Sequence, residues 1–351
     1  MASKRVSCRW CRMECVVPLE AQSLYCLNCR GSTVLEQRYN YPANGIVPQQ
    51  LSAPSHAYGR KRAVLCGITY NGDSRPLQGC VNDVLSMKRL LIQRFRFPIS
   101  SILVLTEEEV DYMRCFPTKR NIRNALRWLV EGSRAGDSLV FHYSGHGTQV
   151  RDSDGDEVDG YDEALMPVDY NREGYIVDDE LNATIVRPLP RGATLHAITD
   201  ACSSGTLLDL PNVCKIKRQK YYEWRYHDPP NGVAYRGTSG GLAIAFSACN
   251  DNQSSLDTTN GWFPDQVSEE LHNLARKAFA RYATGVLTHS FVQTLEQEER
   301  LSYGQLLLAL HNTIGAARQA TGANSYDPES TQEPRLSSSH EFDIQTWTFT
   351  L

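Results

Sequence analysis

The chain has no apolar run long enough to cross a bilayer. Its longest hydrophobic stretches, such as GLAIAFSAC at 241–249, fall far short of the roughly 18 residues that a spanning helix needs. The opening MASKRVSCRW lacks the apolar core of a secretory signal, so the expectation is a cytoplasmic or nuclear protein with no membrane partner. No internal repeat is visible, which argues against a solenoid or propeller. Also missing is the even cysteine set of a secreted disulfide scaffold. Of eleven cysteines, Cys8, Cys11, Cys15, Cys26 and Cys29 crowd the first thirty residues and the other six are scattered, a pattern that favours metal binding and free thiols. Acidic residues are scarce at the front: residues 1–62 hold nine Lys/Arg against three Glu, leaving 27 Lys/Arg against 37 Asp/Glu beyond. The basic front reads as a solvated tail, with nucleic acid the less favoured partner, and the acidic body attracts metal ions or basic peptides.

What is present divides the 351 residues into parts. Cys8 and Cys11 form one C-x2-C pair, fourteen residues intervene, and Cys26 and Cys29 form a second. Four thiolates so spaced close a tetrahedron around zinc. Residues 1–36 are therefore expected to be a small N-terminal zinc-finger prodomain, too poor in apolar material to fold without the metal. Residues 37–60 are rich in Pro, Gln and Ser with no apolar period, which reads as a linker. From Lys61 strand-like and helical segments alternate: RAVLCGITY, then NDVLSMKRLLIQRF, SILVLT, TKRNIRNALRWLVEG, DSLVFHY, VDDELNATIVRPL and ATLHAI. That rhythm predicts an α/β domain over 61–351, a mostly parallel sheet flanked by helices. Within it CKIKRQKYYEWRYHDPPNGVAYRG at 214–237 reads as an exposed basic connection. The reading gives a large-subunit-like 61–213, a connection 214–240 and a small-subunit-like 241–351. The last part holds the strand GLAIAFSAC, three helices (QVSEELHNLARKAFARYA, VLTHSFVQTLEQE and YGQLLLALHNTIGAARQA) and a terminal strand TWTFTL.

Open parallel sheets bind ligands outside the carboxyl ends of their strands. Two predicted strands end in reactive residues: DSLVFHYSGHG delivers His146, and ATLHAITDACSSG delivers Cys202, 56 residues later. A thiolate can attack a carbonyl while an imidazole on a neighbouring strand end moves protons. Gly145 and Gly147 permit close backbone approach, so the amides of Gly147 and Cys202 can donate to a developing oxyanion. The other scattered cysteines, Cys66, Cys80, Cys115, Cys214 and Cys249, read as buried space-filling thiols.

HYSGHG followed by DACSSG resembles the type I metacaspases of plants, relatives of caspases, whose histidine likewise lies about 50 residues upstream of the cysteine. The resemblance covers nearly the whole chain: the N-terminal Cys pairs resemble the finger of plant lesion-simulating-disease proteins, QGCVNDVLSMKRLL the family's first helix, and SSSHEFDI its end. Two departures stand out. Ser203 takes the place of the usual His after the cysteine, and Glu20 and Ala21 lie where a Gly-Ala is usual between the finger's Cys pairs.

The resemblance implies a caspase-like fold and a cysteine endopeptidase, with Cys202 the nucleophile and His146 the general acid/base. It implies cleavage after Arg or Lys in protein substrates, with Asp83, Asp200 and Ser144 binding the basic side chain. Two carboxylates facing one guanidinium give charge-assisted, bidentate contacts. It also implies calcium held by Asp162, Asp178, Asp179 and Asp209. An EF-hand is rejected: carboxylates fall at positions 1, 3, 5 and 12 counted from Asp152, but position 6 is Glu157 where glycine is needed. Self-processing, a monomeric state and a role in programmed cell death or stress response complete the expectation. The self-cleavage sites expected are Lys215, Lys217, Arg218, Lys220, Arg225 and Arg236 in the connection, then Arg60, Lys61 and Arg62 in the linker. The alternative, for which Ser203 is the main ground, is a slow or inactive caspase-like scaffold acting through its zinc finger and that finger's protein partners.

Overall fold

The computed structural model describes residues 3–7, 13–18, 23–25, 32–34, 61–109, 112–152, 155, 157, 159–201, 205–217, 221–226, 236–248, 285–320 and 334–351. The chain forms two compact units, one of Met1–Ala53 with Tyr70–Pro76, the other of Pro54–Thr69 with Leu77–Leu351. In the first, β1 (Ser3–Ser7) pairs antiparallel with β2 (Glu14–Pro18), and β3 (Ser23–Tyr25) with β4 (Ser32–Val34). Cys8 and Cys11 fall in the sequence between β1 and β2, and Cys26 and Cys29 between β3 and β4. The four thiols themselves lie outside the described residues.

The second unit is built on an eight-stranded sheet. β5 (Lys61–Gly67), β6 (Ile102–Thr106), β7 (Ser138–Ser144), β11 (Thr194–Asp200) and β14 (Leu242–Ser247) run parallel in the order β14-β11-β7-β5-β6. Their inner members are buried over nearly their full length, as for strands covered on both faces, and so read as continuous apolar runs rather than alternation. β15 (Arg335–Ser338), β12 (Asn212–Lys217) and β13 (Tyr221–Tyr226) extend the sheet antiparallel beyond β14. A separate three-stranded sheet joins β8 (Gly147–Arg151), β9 (Tyr161–Leu165) and β10 (Ile176–Val177).

Helices form where apolar residues recur at three and four. α1 (Cys80–Gln93) buries Val84, Met87, Leu90 and Leu91. A short α2 (Tyr112–Cys115) precedes α3 (Lys119–Val130), which buries Ile122, Ala125, Leu126 and Leu129 and starts where Thr118 Oγ1 accepts from the Asn121 amide at 3.2 Å. α4 (Tyr170–Glu173) and α5 (Asp178–Leu181) are single turns, and α5 runs into a π-helical turn at Asn182–Val186. α6 (Val286–Gln297) and α7 (Tyr303–Ala320) pack their apolar faces with α1 and the sheet around Phe246, Phe291 and Phe349. In that core His196 stacks on Tyr303 and bonds its hydroxyl at 2.7 Å, and burial pushes the imidazole down to about 3. The first strand is tied down by its own cations. Lys61 Nζ donates to the carbonyls of Phe95 and Leu351 at 2.6 and 2.7 Å, and buried Arg62 donates to those of Trp128 and Glu131 at 2.8 and 2.7 Å.

Two expected segments come out differently. The basic connection is not irregular throughout: β12 and β13 form a hairpin in the main sheet. Cross-strand pairs Cys214–Trp224 and Ile216–Tyr222 place four apolar side chains on one face, against the core, and charged residues alternate with them. TWTFTL alternates like a strand, but among the described residues it forms only one bridge, Ser302 to Thr348; Phe349 and Leu351 dock in the core. The strand near the C-terminus is RLSS at Arg335–Ser338. The helix expected at QVSEELHNLARKAFARYA lies outside the described residues.

Candidate active site

The carboxyl ends of β5, β7 and β11 lie side by side. Parallel register sets Ser144 opposite Asp200 and Gly67 opposite Ser144, and the Gly145 amide donates to the Asp200 carbonyl at 3.4 Å. His146 lies two residues past Ser144 and Cys202 two past Asp200, so the two chains leave the sheet at the same level. His146 is half-buried, and its carbonyl accepts from the Tyr143 hydroxyl at 2.9 Å and the Met166 amide at 3.2 Å. The next residue, Gly147, begins β8 opposite Leu165. Ala201 is fully buried. Cys202 lies outside the described residues.

Beside these strand ends three predicted residues converge. Asp83, on the first turn of α1, comes close because β5 ends in glycine. A Cβ on Gly67 would stand 2.5 Å from the Cys80 carbonyl and 2.8 Å from Val84 Cγ2, so only glycine lets helix and strand approach this far. Ser144 Oγ then donates to Asp83 Oδ2 at 2.6 Å. Asp83, Ser144 and Asp200 are all buried. The start of α6 closes over the carboxylates: the Gly285 amide donates to Asp83 Oδ1 and Oδ2 at 2.9 and 3.0 Å, and the Thr288 amide to Asp200 Oδ2 at 2.8 Å. A Cβ at Gly285 would run into Asp200 Oδ2 and stand 2.9 Å from Asp83 Oδ2. Helix N-termini favour anions through their unsatisfied amides and dipole. Here one terminus serves two carboxylates. Thr288 Oγ1 in turn bonds His142 Nε2 at 3.1 Å, and burial pushes that imidazole down to about 3, leaving it neutral.

A second acidic constellation surrounds β9 and α5. One carboxylate oxygen from each of Glu157, Asp178 and Asp209 lies within 4.8 Å of the others. Asp178 Oδ2 accepts from the Glu163 amide and Oδ1 from the Asp179 amide, both at 2.9 Å. Thr206 and Gln149 hydrogen-bond Glu163. Asp209 is held at φ 50°, a left-handed conformation uncommon outside glycine, and its Oδ1 is buried with no hydrogen-bond donor among the described residues. Burial first, then the charges of Asp209 and Glu163, push the Asp178 carboxyl well above the usual range. Burial also raises Asp209, opposed by Arg236 and reinforced by Glu157 and Asp179. Of the four predicted calcium ligands, Asp178 and Asp209 meet. Asp162, buried on β9, and Asp179, whose charge is felt at Asp209, stand outside the triplet.

The sequence reasoning missed Gly285, Thr288 and Glu157, and reads Arg236 only as a self-cleavage point in an exposed connection, whereas its side chain is buried. The first two act through backbone amides, which no residue type advertises. Glu157 belongs to the acidic run singled out at 152–163, but nothing in its spacing pairs it with residue 209.

Residues 61–211 match the family model described as metacaspase, peptidase C14 domain. The chain is 42% identical to Metacaspase-1 of Arabidopsis thaliana over 99% of this chain and 96% of that protein. It is 43% identical to Metacaspase-3 of the same plant over the full length of both. With Metacaspase-2 it shares 44% over 85% of this chain and 74% of the relative.

Proposed function

This chain belongs to the metacaspase family and is a caspase-like cysteine peptidase, and from that premise we propose that it cleaves proteins after Arg or Lys under the control of calcium. The observation that carries the specificity is the meeting of Asp83, Ser144 and Asp200 beside the strand ends that lead to His146 and Cys202. Two carboxylates there are already oriented by amide donors and offer their remaining lone pairs to a visiting cation.

In the proposed reaction the Cys202 thiolate attacks the carbonyl that follows the basic side chain, forming a C–S bond, and the amides of Gly147 and Cys202 hold the oxyanion. His146 gives its proton to the leaving amine as the C–N bond breaks, then takes one from the water that hydrolyses the thioester. The carboxylates around Asp209 suit a hard cation: Asp209 Oδ1 is buried with no hydrogen-bond donor among the described residues, and Glu157 and Asp178 bring like charge to the same place. Asp178 and Asp209, with Glu157, would hold calcium, and Asp162 and Asp179 would complete the set. When bound, calcium supplies the positive charge this cluster needs to ionise. Zinc on Cys8, Cys11, Cys26 and Cys29, self-processing and a role in cell death or stress belong to the same proposal.

Purified protein and its Cys202→Ala variant should be assayed on Arg-ended and Asp-ended fluorogenic peptides, with and without calcium. Cleavage of the Arg peptide alone, raised by calcium and absent in the variant, is the expected result. Preference for the Asp peptide overturns the pocket assignment; no turnover of either supports the scaffold reading that rests on Ser203.

A further inference from the structure

The acid cluster already contains a cation, and it is one of the chain's own side chains. Arg236 is 8% exposed, with Nη2 2.6 Å from Glu157 Oε1 and 3.5 Å from Asp209 Oδ1. A calcium ion bonded to carboxylate oxygens sits about 2.3–2.6 Å from each. One oxygen of each of Glu157, Asp178 and Asp209 lies within 4.8 Å of the others, so an ion bridging them would draw on Glu157 and Asp209, the two carboxylates that the guanidinium nitrogen already contacts. Two positive charges drawn to the same carboxylates repel one another.

We propose that Arg236 is a built-in competitor for calcium: guanidinium and divalent ion exclude one another at the Glu157–Asp178–Asp209 cluster, and calcium binding drives Arg236 out. This rests on the calcium reading given above and adds to it the occupant that the ion must displace.

The surroundings fit an exchange of one side chain. The backbone after Arg236 is anchored: the Ser239 amide and hydroxyl both donate to the Arg187 carbonyl, at 3.1 and 2.7 Å, and Thr238 Oγ1 donates to the Gly241 carbonyl at 2.6 Å. Asn182 Nδ2 ties the two sides together, donating to the carbonyls of Leu208 at 2.9 Å, Asp209 at 3.4 Å and Arg236 at 3.5 Å. The exchange also changes what Arg236 can be. Inside the cluster its guanidinium is buried; outside, the same guanidinium is exposed while the backbone stays anchored.

The test uses full-length protein carrying Cys202→Ala, so that no self-cleavage intervenes, with calcium as the probe. Isothermal titration should show Arg236→Gln binding calcium at least tenfold more tightly than the parent, while Arg236→Lys keeps the weaker affinity. Equal or weaker binding by a folded Arg236→Gln protein overturns the competition and leaves the calcium reading intact. Calcium binding to neither protein overturns both. Phenylglyoxal labelling of the unmutated side chain, read by peptide mass spectrometry with exposed Arg225 as reference, does not depend on that variant folding. Labelling of Arg236 should rise at least fivefold at saturating calcium, and unchanged labelling overturns the proposal.

Discussion

The protein buries two groups of carboxylates and satisfies them by different means. Asp83 and Asp200 accept hydrogen bonds from the first amides of a helix and from a serine hydroxyl. Glu157, Asp178 and Asp209 face one another, one guanidinium reaches Glu157 and Asp209, and the buried Asp209 Oδ1 has no hydrogen-bond donor among the described residues. The first pair is held by dipoles, which fix the carboxylates in place. The second group has one guanidinium against three carboxylates, and even with it in place burial and repulsion push protons onto Asp178 and Asp209. Dipoles suit a site that turns over; charge suits a site that must be filled.

The largest effect should come from breaking the first group. Asp83→Ala or Asp200→Ala leaves a bound guanidinium with one carboxylate in place of two, a loss of roughly 3 to 5 kcal/mol for a broken buried pair. kcat/KM on an Arg peptide should fall at least a hundredfold with circular dichroism intact, and unchanged kcat/KM in both variants would falsify the pocket assignment. Next, Asp178→Ala combined with Asp179→Ala should abolish calcium stimulation or raise the half-maximal calcium concentration at least tenfold. A parent-like calcium response would move the site elsewhere.

Gly285→Ala probes the dipole end of the comparison. Its Cβ intrudes on both carboxylates, and overpacking of this kind costs about 1–3 kcal/mol. Thermal melting and Arg-peptide turnover should both drop while the half-maximal calcium concentration stays put; a change in the latter would mean the two acid sites are coupled.

The smallest effect isolates the core from both. Burial holds His196 at about 3 against an ordinary 6.5, so between those values the unfolded chain binds a proton that the folded one does not. This histidine's contribution to stability is present above pH 6.5 and lost as pH falls, at up to about 1.4 kcal/mol per pH unit. His196→Phe should be less stable at pH 7, having lost the bond to Tyr303, yet its stability should fall less steeply between pH 6.5 and 4.5. Denaturant melts at several pH values decide it, and parallel slopes would refute the assignment.

The same contrast explains what the sequence made legible. The alternation from Lys61 onward foretold the parallel strands and α1, α3, α6 and α7, because a strand or helix buried along its length writes its period locally. The meeting of residues 83, 144 and 200 came from the family resemblance and not from spacing, since three separate elements supply it. The hairpin β12–β13 was hidden because its apolar face is a cross-strand property, shared between Cys214 and Trp224 and between Ile216 and Tyr222. TWTFTL misled in the opposite sense: alternation is local, but a ladder needs a neighbour.

Under the proposed specificity, the peptidase's own basic residues are candidate cleavage points. Lys61 and Arg62 open the first strand of the main sheet, and both spend their side chains on backbone carbonyls elsewhere in the fold. To cut after either one, the enzyme must first peel that strand away from β6 and β7. Folding thus edits the list of self-cleavage points: a basic residue that holds the architecture together is spared for as long as the architecture stands, and digestion of the intact enzyme is steered toward positions whose loss the sheet survives.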